Sequence, residues 1–191
     1  LMGDVNKEQV KTLQKVMDSG NHLLSLINDI LDISKIEAGM MNLFVEEVDL
    51  NLLLMGTIST AKGLTKNSPI ELISEIDKNL PKILGDKRRI RQIFLNLISN
   101  AVKFTPEGIV SLGASQEDKE IHIYIKDTGI GIAPEDQDTV FEAFRQAEHD
   151  LQNVVGTGLG MPICKHFIEA HGGTISFERE LGKGTTFYIA L

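Results

Sequence analysis

An α+β fold with a long helix ahead of it is what this sequence predicts, and three patterns carry the prediction. A heptad seam lies near the start, two strand-like runs joined by a short polar turn lie near the middle, and helices with broad apolar stripes are interspersed among further strand-like runs. At 191 residues the chain can bury one medium domain's core and carry a helical appendage, but not two full domains.

The seam comes first. Val10, Leu13, Met17, Leu24, Ile27 and Leu31 recur at steps of three and four, with Gly20 in the one gap. Val16, Leu23 and Ile30 widen the stripe to what a four-helix bundle needs, so this helix requires partners. Gly39 after Glu37-Ala38 fits its C-terminal cap. Residues 42–48 read as a strand, and Asp49 as the N-cap of a helix running to Lys66. Residues 69–76 and Ile83-Leu84 read as strands, after which Asp86 caps a long helix burying Ile90, Ile93, Phe94, Leu97, Ile98, Ala101 and Val102. Pro106-Glu107-Gly108 ends it. Strands 109–116 and 121–126 then form an antiparallel hairpin across Glu117-Asp118-Lys119. Residues 127–160 are rich in glycine and polar groups, with a short helix expected around 135–145, and so long an irregular stretch reads as a functional loop or lid. A helix from Leu159 to His171 with Pro162 in its first turn, stopped by Gly172-Gly173, and strands 174–178 and 185–190 close the chain.

The net charge of −8 argues against nucleic acid and against contact with an anionic membrane, because both need a clustered positive surface. The one basic run, Lys87-Arg88-Arg89 with Arg91, reads as a solvated helix face, with a phosphate-facing role as the alternative. Cys164 stands alone, which points to a reducing compartment and a small core side chain. No apolar run approaches a membrane span and no signal-peptide pattern opens the chain, so a cytoplasmic segment is expected, any anchor lying upstream.

Four segments carry candidate chemistry. Asn96 and Asn100 lie four apart on one helix face, with Lys103 at the next turn. Neutral amides suit a hydrated cation and phosphate oxygens; a structural hydrogen-bonded pair is the other reading. Asp127-Thr128-Gly129-Ile130-Gly131-Ile132 ends a strand, where a carboxylate can accept from an exocyclic amine and glycines let the backbone pass close to a flat ring. Phe141 and Phe144 are either core residues or anchors of a lid. Gly156-Thr157-Gly158-Leu159-Gly160 precedes a helix, and such N–H groups make a phosphate site. It lacks the Gly-Lys-Ser/Thr ending of a P-loop and the glycine spacing of a dinucleotide fingerprint.

In this order and spacing the segments resemble the N box, first glycine box, F box and second glycine box of the sensor histidine kinases in the GHKL ATPase superfamily. Gly182-Lys183-Gly184-Thr185-Thr186-Phe187 matches the family's closing strand. His22 to Gly39 resembles the second helix of its dimerisation and phosphotransfer region. The resemblance implies a two-layer α/β sandwich of the Bergerat type over residues 41–191, its mixed sheet packed on helices, and a dimerisation helix over residues 1–40. No His here stands in the family's phosphoacceptor setting, so the accepting histidine is expected on a helix outside this sequence. His22, His149, His166 and His171 have no metal-ligand spacing.

The resemblance further implies an ATP and Mg²⁺ site. Asp127 would read the adenine amine, and Phe104, Gly129, Gly131, Ile132 and Thr186 would belong to the same nucleotide site. Asn100 would hold the metal, and Asn96 and Lys103 would serve catalysis by engaging phosphates. Gly156, Thr157, Gly158, Leu159 and Gly160 would close over the phosphates, with Gln146 or Arg145 adding a contact. Relatives that hydrolyse ATP have a glutamate where Asn96 stands, and neither Asn96 nor Gln92 is a general base. That favours phosphoryl transfer to a histidine, then to a response regulator, by a protein that dimerises through its helical region. The other class is an ATP-binding interaction module, ATPase or serine kinase of the same fold.

Overall fold

The computed structural model describes residues 6–66, 68–145 and 157–191. The chain divides into two units, Leu1–Met41 and Asn42–Leu191. In the first, helix α1 (Lys7–Glu37) starts at a capping box in which Asn6 and Gln9 exchange side-chain and backbone bonds. Beyond it Gly39, at φ +64°, lets its own N–H reach Ile36 and that of Met40 reach Lys35, a Schellman ending. The seam residues Val10, Leu13, Met17, Leu24, Ile27 and Leu31 remain 46–60% exposed. They form a continuous apolar row on the surface of α1.

The second unit runs β1 (Glu46–Val48), α2 (Leu50–Thr65), β2 (Ile70–Ile76), β3 (Ile83–Gly85), α3 (Lys87–Lys103), β4 (Gly108–Glu117), β5 (Glu120–Asp127), α4 (Gly160–Ala170), β6 (Thr174–Glu180) and β7 (Gly184–Ala190). β1 and β3 form a small antiparallel ribbon. The main sheet has order β2-β4-β5-β7-β6, with β2 parallel to β4 and the remaining pairs antiparallel. Alternation decides its faces. Val110, Leu112 and Ala114, Ile121, Ile123 and Ile125, and Phe187 and Ile189 are buried against the helices, where α3 adds Ile90, Ile93, Phe94, Leu97 and Ile98. Ser111, Ser115, Tyr124, Lys126 and Tyr188 occupy the opposite face, so there are two layers. Cys164 is fully buried among the helices. No helix among the described residues is long and apolar enough to cross a membrane.

Two expected elements differ. The strand expected over 42–48 pairs only from Glu46, because the Phe44 N–H donates to the Asp86 carboxylate (3.0 Å) instead of entering a ladder. The helix expected around 135–145 is a single 3₁₀ turn, Pro134–Asp136, followed by further tight turns. Its bonds run three residues back, as in Thr139 to Asp136 and Glu142 to Thr139, and Phe144 at φ +64° cannot continue a helix.

Candidate functional site

Helices α3 and α4 lie antiparallel and are joined at successive levels. At the far end the Asp86 side chain accepts from the N–H groups of Arg88 and Arg89, capping α3, while its own N–H donates to His171 Nε2 at 2.9 Å. His171 Nδ1 in turn lies 2.6 Å from the Phe167 carbonyl, so the ring bridges the start of α3 and the end of α4. Burial alone would raise the Asp86 carboxyl; the N–H groups of Phe44, Arg89 and Arg88 and the Arg89 charge hold it below its usual value. Next the Arg89 guanidinium stacks over Phe167 at 4.6 Å, and Cys164 Sγ meets the Ile93 carbonyl at 3.7 Å. The rest of the basic run is solvated: Lys87, Arg88 and Arg91 are exposed.

At the near end this zipper sets the amide face of α3 against the start of α4. A Cβ on Gly160 would stand 3.5 Å from Asn96 Nδ2, and Asn100 Nδ2 donates to Met161 Sδ at 3.6 Å. Both Asn residues are half-buried. With Nδ2 of Asn100 engaged, the carbonyl oxygen is the remaining acceptor of that amide. The first N–H groups of α4 have no partners within their helix and carry its positive end, so amides and dipole converge on one place. Lys103 lies over the Phe104 ring at 5.1 Å, and partial burial lowers its pKa.

Asp127 ends β5 on the helix-facing side and is 6% exposed. Its Oδ1 accepts from the N–H of Gly129 (2.9 Å) and of Thr185 (3.2 Å). Burial pushes the carboxyl above its ordinary value, against these two donors, which pull it down. The following loop is fastened on both sides. Ile130 donates to the Phe104 carbonyl and accepts from Gly182. A Cβ on Gly129 would overlap the Phe104 carbonyl, and one on Gly131, at φ +71°, would stand 2.5 Å from the Glu180 carbonyl. The residues after Asp127 therefore rest on the α3 terminus, one turn from Asn100.

The chain on either side of residues 146–156 is joined, since the Phe144 N–H donates to the Gly158 carbonyl. Gly158, at φ +68°, has no room for a Cβ, which would stand 2.6 Å from the Arg145 carbonyl. Thr157 Oγ1 accepts from the Leu159 N–H, and Leu159 is buried at the head of α4. Phe141 packs edge-on to Phe177 at 5.8 Å, whereas Phe144 is 66% exposed.

Asn96, Asn100, Lys103, Phe104, Asp127, Gly129, Gly131, Ile132, Gly158, Leu159 and Gly160 are thus gathered around α3, the start of α4 and the loop after β5. Gln146 and Gly156, with His149, lie outside the described residues. Thr186 is not brought in. It alternates with buried Thr185 and Phe187 and shares the outer face of the sheet with Tyr188, so strand parity sends its side chain away from the helices. Thr185 takes its place through its backbone N–H. Arg179, which no local motif marks, donates to the Ile132 carbonyl and to Gln137 on the chain that follows this loop.

Residues 85–191 match the family described as histidine kinase-, DNA gyrase B-, and HSP90-like ATPase. The circadian input-output histidine kinase CikA of Synechococcus elongatus is 39% identical over 191 residues, spanning 98% of this chain and 25% of that protein. Histidine protein kinase DivJ of Caulobacter vibrioides is 34% identical over 192 residues, spanning 100% of this chain and 32% of its own length. The chain thus covers about a quarter to a third of these curated relatives. Among solved structures, full-length ShkA in complex with AMPPNP superposes with a TM-score of 0.83 at 35% identity, over 98% of this chain and 39% of that one. The nucleotide-free catalytic domain of histidine kinase ThkA superposes with a TM-score of 0.67 at 25% identity, over 79% of this chain and 97% of that one. The mixed sheet, the helix pair and the matched residues together show that the chain belongs to the histidine kinase-, DNA gyrase B-, and HSP90-like ATPase family, as a catalytic ATP-binding domain of the histidine-kinase kind.

Proposed function

We propose that this domain binds Mg-ATP and passes its γ-phosphoryl group to a histidine of a two-component signalling protein, for relay to a response regulator. The observation that carries the reading is the buried Asp127 carboxylate, held by two backbone donors on a loop that rests one turn from the paired amides of α3. In it Asp127 accepts from the adenine amine, and Gly129 and Gly131 keep the backbone low enough for the ring. Asn96, Lys103 and the N–H groups at the start of α4 meet the phosphates. The donor set fits a magnesium ion: Asn100 offers a neutral oxygen acceptor beside the helix terminus, and hard cations prefer oxygen. When bound, the ion neutralises phosphate charge. Phosphoryl transfer then depends on positioning and electrostatics, and the absence of a carboxylate at Asn96 withholds a base from water.

The exposed apolar row of α1 supports dimerisation through that helix in the full-length protein. The lone, buried Cys164 and the use of ATP support a cytoplasmic site of action. The test uses the full-length protein with γ-labelled ATP. Acid-labile, base-stable label that requires magnesium, falls sharply in Asn100→Ala and moves to a response-regulator aspartate is the expected result. Label released only as inorganic phosphate would refute transfer to histidine.

A further inference from the structure

We infer that Arg179 is a positioning residue for nucleotide, acting through the chain that leaves the adenine loop. The inference rests on the nucleotide-site reading above. Arg179 pairs with Thr185 in the β6–β7 register, and Thr185 is the residue whose N–H donates to Asp127. Arg179 therefore starts on the helix-facing side of the sheet, at the end where the carboxylate emerges. From there its guanidinium forks: Nη1 donates to the Ile132 carbonyl at 2.5 Å and Nη2 to Gln137 Oε1 at 2.7 Å.

The segment between those two acceptors has little order of its own. It holds a single 3₁₀ turn whose N-terminus has no side-chain cap. Ile130, just ahead of it, is held by the Phe104 carbonyl and the Gly182 N–H, and Arg179 meets both of its ends, at Ile132 and Gln137. A planar fork with five donors can serve a backbone carbonyl and a side-chain amide together; an ammonium on a flexible stem cannot hold both in one geometry. Both of these acceptors belong to the loop and not to the helical core. Arg179 thus fixes where Ile132 and Gln137 stand on the chain that leaves the adenine loop, without holding the domain together.

The expected result for Arg179→Ala is about tenfold weaker ADP binding in an equilibrium titration, equivalent to ~1.4 kcal/mol. The nucleotide-free melting temperature should move by less than about 3 °C, since no core packing is lost. In the full-length protein KM for ATP should rise with kcat nearly unchanged. Arg179→Lys should recover only part of the affinity. Gln137→Ala combined with Arg179→Ala should weaken binding by less than the product of the two single effects, because both remove one contact. Affinity in Arg179→Ala within twofold of wild type would overturn the inference, as would a large drop in melting temperature accompanied by an equal fall in kcat. Asp127→Asn, run alongside, separates the two levels. If it weakens binding while Arg179→Ala does not, the inference fails and the site stands. If the wild type binds no adenine nucleotide, the site reading fails and takes the inference with it.

Discussion

Replacing Asp127 with asparagine exchanges one carboxylate oxygen for an NH₂ in a place the backbone has already half filled. Oδ1 accepts from Gly129 at 2.9 Å and Thr185 at 3.2 Å, and an asparagine oriented to keep its oxygen there preserves both bonds. Its NH₂ then faces the adenine amine, donor against donor. A hydrogen bond to a charged group contributes ~1.5–3 kcal/mol, so ATP affinity should fall roughly 10- to 100-fold. The fold should not suffer. The carboxyl is 6% exposed and its pKa is raised by burial, so its ionised form costs stability at neutral pH and the neutral amide relieves that cost. The same geometry predicts a change of preference. Inosine triphosphate carries an oxygen where adenine carries its amine, and the asparagine NH₂ can donate to it. Calorimetric titrations of wild type and variant with both nucleotides, beside thermal melts, test this. Wild type should prefer ATP strongly, and the variant should lose or reverse that preference. Equal losses for both nucleotides, or an unchanged ATP affinity, would refute the assignment of Asp127 to the base.

The pH dependence follows from the same group. The ionised carboxylate is the stronger acceptor for the amine, and protonation turns one of its oxygens into a competing donor, so ATP binding should weaken as pH falls through the raised Asp127 pKa; Asp127→Asn should lack that step in pH-resolved titrations. For stability the sign is opposite: a folded pKa above the unfolded one favours the protonated fold, so the contribution is full below the unfolded value and lost as pH rises through the folded one. Denaturant titrations should show wild type losing ground to Asp127→Asn over that window. Gly158→Ala places a Cβ 2.6 Å from the Arg145 carbonyl at φ +68°, and should weaken ATP far more than adenosine in competition titrations. His171→Ala leaves the Asp86 N–H without its acceptor and should cost ~1–3 kcal/mol in urea unfolding, with Asn96 and Asn100 unaltered.

What could be read from the sequence was local. Asp49 and Asp86 cap helices because a carboxylate one residue ahead of a helix meets N–H groups only two or three residues on. Gly39 ends α1 because the turn there needs positive φ. The β4–β5 hairpin follows from alternation and a short polar turn. The amide face of α3 follows from helical spacing, and the nucleotide boxes from their order along the chain.

Tertiary structure alone decided the rest, because it depends on partners far away in sequence. Phe44 leaves its strand for Asp86, 42 residues on. Of the adjacent threonines only Thr185 serves Asp127, since parity on β7 sends Thr186 to the outer face. Arg179 meets Ile132, 47 residues earlier, only once the sheet has formed. Spacing along a chain specifies what neighbours can do for each other, whereas which distant donor reaches which acceptor is set by the order and register of strands.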